Sequence, residues 1–153
     1  MSTDTDQKQS WDRPGWMGLL ARAPAKQVAE RMVALGPLPA HDWLRAPEVG
    51  TVMLRGRAGG TGAPFNLGEM TVTRCALRLA DGAVGHGHVQ GRDKVHAMQA
   101  ALLDALMQGA RAADVTATVL VPLAAAMATA KATRAANAAA TKVEFFTLVR
   151  GED

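Results

Sequence analysis

The pair Asp81-Gly82 constrains this sequence more than any other feature. Aspartate and glycine tolerate the backbone angles of a tight hairpin turn, so the pair predicts two antiparallel strands. The flanking segments agree: Glu69–Leu79 and Val84–Gln90 both read as strands. One face of such a pair packs against helices while the other stays open to a ligand or a subunit. Gly91-Arg92-Asp93 then opens the clearest helix, with Asp93 as its N-cap. Val95, Met98, Leu102, Ala105 and Leu106 form its predicted core stripe, and Gly109 marks its exit.

The remaining elements follow from the same kind of signal. Residues 1–9 are polar and read as a disordered tail, leaving 10–153 as one α+β domain. Ser10 suits the cap of a short helix through Trp16, Leu19 and Leu20, which Pro14 delays. Pro24 suits the start of a second helix, Ala25–Leu35, with Val28, Met32 and Leu35 as its stripe and Gly36-Pro37 as its stop. His41–Ala46 and Thr51–Arg57 read as two strands joined by a turn at Pro47-Glu48-Val49-Gly50. Residues 114–123 are ambiguous between strand and helix. Leu123–Ala140 is alanine-rich and helical by propensity, with Lys131, Arg134 and Asn137 along one edge. Val143, Phe145, Thr147 and Val149 alternate in a final strand. The predicted fold class is therefore α+β: an antiparallel sheet of four to five strands packed by helices, with N-terminal helical segments and a C-terminal strand.

Composition limits the core. The 153 residues are 48% hydrophobic, but 31 of those are alanine and none is isoleucine. Leu, Val, Met and the six aromatics must therefore supply the burial, which gives a thin core suited to completion by a partner. The net charge of +3 is modest, and tyrosine is absent as a stacking surface, so a nucleic-acid binder is not expected. The single cysteine, Cys75, excludes an internal disulfide and an iron–sulfur cluster held by this chain alone. It shares the apolar phase of its strand with Leu77 and Leu79, so a buried, inert thiol is expected. The polar N-terminus shows no signal peptide, and no unbroken apolar run of membrane-spanning length occurs. A cytoplasmic protein without membrane contact is expected.

Among residues that carry chemistry, the arginines stand out. Arg74 and Arg78 are four apart, and Arg55 and Arg57 two apart, so each pair shares one face of an extended strand. Joined, they would make a cationic face for a polyanion such as a triphosphate; unjoined, they are a solvated face or an inter-subunit salt-bridge network. Arg92 lies where a strand passes into a helix, a position where backbone amides attract anions. Gly59-Gly60-Thr61-Gly62 resembles an anion nest, but lacks the Gly-Lys-Ser/Thr ending of a P-loop, and on its own a flexible hairpin connection explains it better. Pro64–Glu69 would continue it as an ordered loop. His86 and His88 share a strand face, and His96 lies one turn into the next helix, which raises a three-histidine metal site. No carboxylate is placed to orient those imidazoles, and Gly85 and Gly87 would loosen the strand between them. Neither a nucleophile–base pair nor paired carboxylates occur, so no catalytic set is assigned.

Three blocks, GGTGAPFNLGEMTVTR, VQGRDKVHAMQAALLDALMQ and KVEFFTLVRGED, resemble the PhnG family of the bacterial carbon–phosphorus lyase system. The similarity runs from about Trp11 to the last residues. It implies a subunit of an assembly with two copies each of four different chains. That assembly displaces adenine from ATP with a phosphonate, giving a ribose 1-phosphonate 5-triphosphate. ATP and phosphonate would be substrates of the assembly, and this chain alone would bind no cofactor and be inactive alone. Iron–sulfur and S-adenosylmethionine chemistry would belong to other subunits, in keeping with the single cysteine. Arg55, Arg57, Arg74, Arg78, Arg92 and the 59–62 loop would contact substrate or a partner. The rival reading is a free-standing metalloenzyme built on His86, His88 and His96.

Overall fold

The computed structural model describes residues 11–143. Helix α1, Arg13–Arg22, starts where Asp12 accepts a 2.8 Å hydrogen bond from the Gly15 amide and Pro14 occupies the first turn. The Ser10 cap expected from sequence lies outside the described residues. Helix α2, Ala25–Leu35, has the bounds read from sequence, and it buries Val28, Met32 and Leu35. Gly36 ends it with a positive φ of 85°.

Three antiparallel strands follow in the order β1-β2-β3: β1 His41–Arg57, β2 Pro64–Leu79 and β3 Val84–Gln90. The sheet thus has three strands among the described residues rather than four or five. Two of the expected strands are one. Pro47 does not break β1, because β1 is an edge strand and the register slips on either side of Arg45 absorb the residue that cannot donate. Pro64–Glu69, expected as a loop, is the start of β2, paired with β1 from Arg57↔Pro64 onward. Leu79–Val84 closes as the Asp81-Gly82 turn required, with the Asp81 carboxylate accepting from the Ala83 amide at 3.0 Å.

Helix α3, Lys94–Leu106, lies across the sheet, capped by Asp93, which accepts from the His96 amide at 2.9 Å. Its buried stripe differs from the expected one. Leu102, Ala105 and Leu106 are buried as expected, but Val95 is 58% exposed, and Ala97 and Ala101 are fully buried instead. The cause lies in β3. A Cβ on Gly85 would overlap the Ala101 carbonyl, and one on Gly87 would overlap the Ala97 carbonyl. Two glycines facing small residues one turn apart let helix backbone and strand backbone touch. Gly85 and Gly87 therefore tighten this layer, where the sequence suggested a loosened strand.

Residues 114–123 are helical throughout: α4, Ala112–Val115, a π turn at Thr116–Leu120, and α5, Val121–Ala140. The turn widens just before Pro122, which has no N–H to give to the helical ladder. Val115, Val119, Leu120 and Leu123 are all buried and join α1, α2 and α3 in one core. Beyond Leu123 no residue of α5 is buried. By length and composition, Ala112–Ala140 is apolar enough to cross a membrane, although residues such as Thr116, Pro122 and Lys131 interrupt its apolar run. The expected C-terminal strand falls outside the described residues except for Val143, which is exposed.

Candidate functional site

The open face of the sheet gathers the charged residues nearest to one another. Arg74 stands opposite Glu48 on β1 and His88 on β3, and Arg78 stands opposite Asp42 and Val84. Both arginines are exposed on one face, as their spacing required. Arg74 Nε donates to Glu48 Oε1 at 2.9 Å, and Arg45 Nη1 donates to the same oxygen at 3.0 Å. Arg45 reaches this position because the irregular register of β1 sets it opposite Ala76. His86 is also opposite Ala76, so two arginines and two histidines surround one small residue. Leu44, Arg45, Arg74, Ala76, His86 and His88 line a groove of about 530 Å³, with the Glu48 carboxylate beside it bonded to both arginines.

Arg55 and Arg57 lie elsewhere. Their partners on β2 are Asn66 and Pro64, whereas the partner of Arg74 is Glu48. Asn66 and Arg74 are eight residues apart, about 26 Å at roughly 3.3 Å per strand residue, well beyond the reach of one triphosphate. The structure therefore forms two cationic places rather than one four-arginine face. β3 pairs β2 only over Val72–Arg78, so β1 and β2 continue past it as a two-stranded arm carrying Arg55 and Arg57. At its tip, Gly59 and Gly60 take positive φ angles of 60° and 79° in a short 3₁₀ turn. The Gly62 amide donates to the Ala58 carbonyl at 2.9 Å, and Arg57 donates to the Gly62 carbonyl at 3.1 Å. The Gly59-Gly60-Thr61-Gly62 loop thus closes on itself as a turn. Gly68 on this arm, unlike Gly85 and Gly87, has open space where a Cβ would stand.

Arg92 is exposed beside the Asp93 cap and forms no ion pair among the described residues. The three histidines do not converge. The Nε2 atom of His96 is bonded to the Leu20 carbonyl at 2.8 Å in the interior, while His86 and His88 project from the open face. No group of three metal-ligating side chains forms among the described residues, so the metalloenzyme reading has no geometric basis.

One residue of consequence escaped the sequence reading. Asp104 on α3 is completely buried. Its carboxylate accepts from Arg13 Nε at 3.1 Å, Arg13 Nη2 at 2.8 Å, Trp16 Nε1 at 2.9 Å and the His86 amide at 2.9 Å. It ties α1, α3 and β3 together at one point. The usable signal was a lone acid inside the apolar run of the clearest helix, ALLDALM, flanked by Leu103 and Ala105. Asp104 also fixes the backbone of β3 directly beneath the His86 side chain. Cys75 matches its expected role: it is 3% exposed, and burial pushes its thiol up to about 11.

Comparison with known proteins places this geometry in context. A family model described as phosphonate metabolism protein PhnG matches residues 11–151. A Rhizobium meliloti (strain 1021) protein, alpha-D-ribose 1-methylphosphonate 5-triphosphate synthase subunit PhnG, is 44% identical over 137 residues. The match covers 90% of this chain and 88% of that protein.

Proposed function

The chain belongs to the PhnG family of phosphonate-metabolism proteins, and we propose that it serves as a non-autonomous subunit of a ribose 1-methylphosphonate 5-triphosphate synthase complex. In this reading the complex transfers ribose 5-triphosphate from ATP to a phosphonate and releases adenine. Other subunits, two copies of each of four chains in all, supply the reacting groups. The name of the Rhizobium relative, a synthase subunit, supports this assignment. So does the lack of a nucleophile–base pair or paired carboxylates in the sequence.

The observation that carries the proposal is the two-stranded arm. Met53 is 51% exposed, Phe65 44% and Leu67 66%, and Leu54 is exposed beside them. Among the described residues no third strand pairs with this ribbon, and isolated two-stranded ribbons are marginal in water. Large apolar side chains on an unsupported hairpin gain stability by inserting into another protein. The charges on the arm, Arg55 and Arg57, suit a receiving surface rimmed with carboxylates.

Co-purification tests this reading. A tagged chain should bring its partner subunits out of a cell that expresses the whole set. Leu54, Phe65 and Leu67 replaced together by serine should abolish recovery of those partners while the circular dichroism of the chain is retained. Equal recovery with the triple variant would show that the arm is not the docking element.

A further inference from the structure

The groove on the open sheet face holds an unusual surplus of hydrogen-bond donors. Glu48 binds Arg74 only through Nε and Arg45 only through Nη1. Both Nη groups of Arg74 and one Nη of Arg45 are thus left without a partner among the described residues. The imidazoles of His86 and His88 are likewise unpartnered on the adjoining strand. One carboxylate holds two guanidinium groups in place but neutralises only one of them. Ala76 leaves space between them, and Glu48, the acid beside the groove, is already shared by both guanidinium groups. Planar guanidinium donors held apart over a small residue, with imidazole nitrogens alongside, match the donor needs of a tetrahedral oxyanion.

We propose that this groove is a binding site for a phosphate or phosphonate group, with Arg74 and Arg45 as its charged donors and His86 and His88 as its second wall. Glu48 is a positioning residue that orients both guanidinium groups. The two aligned Nη atoms of Arg74 provide a fork for two oxygens of one group. Asp104 underlies the site: by holding the His86 amide it sets the position of β3 against Arg74. The site stands on this donor set alone and does not depend on the subunit reading. It is distinct from Arg55, Arg57 and the glycine tip, which lie out on the arm.

The test uses the full-length chain with carbon-13-labelled histidine, at constant ionic strength. Inorganic phosphate, methylphosphonate and ATP are titrated separately, with acetate as the carboxylate control. The ring signals of His86 and His88 should shift saturably with the phosphorus oxyanions, while those of His41 and His96 stay still. Saturation by phosphate and methylphosphonate alike would assign the site to the free group. Saturation by ATP alone would assign it to the nucleotide's phosphates. Arg74→Gln and His88→Gln should each weaken binding by about tenfold or more with an unchanged circular dichroism spectrum. Linear shifts, movement of all four histidines together, acetate binding as strong as phosphate, or unchanged affinity in both variants would overturn the proposal.

Discussion

Arg13 on α1 sits 2.8 Å from the fully buried carboxylate of Asp104 on α3, across 91 residues of sequence. The same carboxylate receives Trp16 and the His86 amide, so one side chain fastens two helices to the sheet edge. Asp104→Ala should lower unfolding stability by about 3 kcal/mol, because four N–H donors on three residues lose their acceptor together. Arg13→Gln should cost less, since the arginine side chain is 42% exposed and water replaces part of the loss. Urea unfolding of both variants checks the order; equal losses would mean that the ion pair, rather than the whole cluster, carries the stability.

Gly85 and Gly87 carry a second prediction. A methyl group at either position would meet α3 backbone, which has no flexible end to move aside. Gly85→Ala and Gly87→Ala should each destabilise the chain by about 2 kcal/mol or more through forced separation of helix and strand. Gly68→Ala, where nothing stands within 4 Å, should be close to neutral. Thermal unfolding of the three variants separates close packing from a general intolerance of strand substitution.

Cys75 carries a prediction with a definite pH window. Burial keeps its proton on until about pH 11, whereas the unfolded thiol releases it near the ordinary 9.0. Above pH 9 the unfolded chain therefore binds fewer protons than the folded one, and stability falls as pH rises towards 11. The slope is at most about 1.4 kcal/mol per pH unit for one such group. Below pH 9 this contribution is constant. Cys75→Ala should remove that part of the alkaline fall, read as the difference between two urea titrations. Iodoacetamide should label the native thiol slowly at pH 8 and the urea-unfolded thiol readily.

Local signals in this chain were strong wherever one residue type forces a geometry. Asp81-Gly82, the Asp93 cap and the Gly36 stop placed β3, α3 and α2 correctly, because turn and cap chemistry act over a few residues. The errors came where a distant element decides. Pro47 looked like a break because edge position and bulges are invisible without the partner strand. Val95 looked buried because the small-residue stripe of α3 has meaning only against Gly85 and Gly87. The arginine pairs were read correctly within each strand, yet register alone set Arg55 far from Arg74. Register also made Arg45 a neighbour of Arg74, which spacing along β1 does not show.

The most direct test of the subunit account is adenine release from ATP and methylphosphonate, measured with purified components. This chain alone should release none, the partner subunits without it should release little, and the reconstituted set should turn over. Robust turnover by the chain alone, or full activity of the other subunits in its absence, would contradict the account.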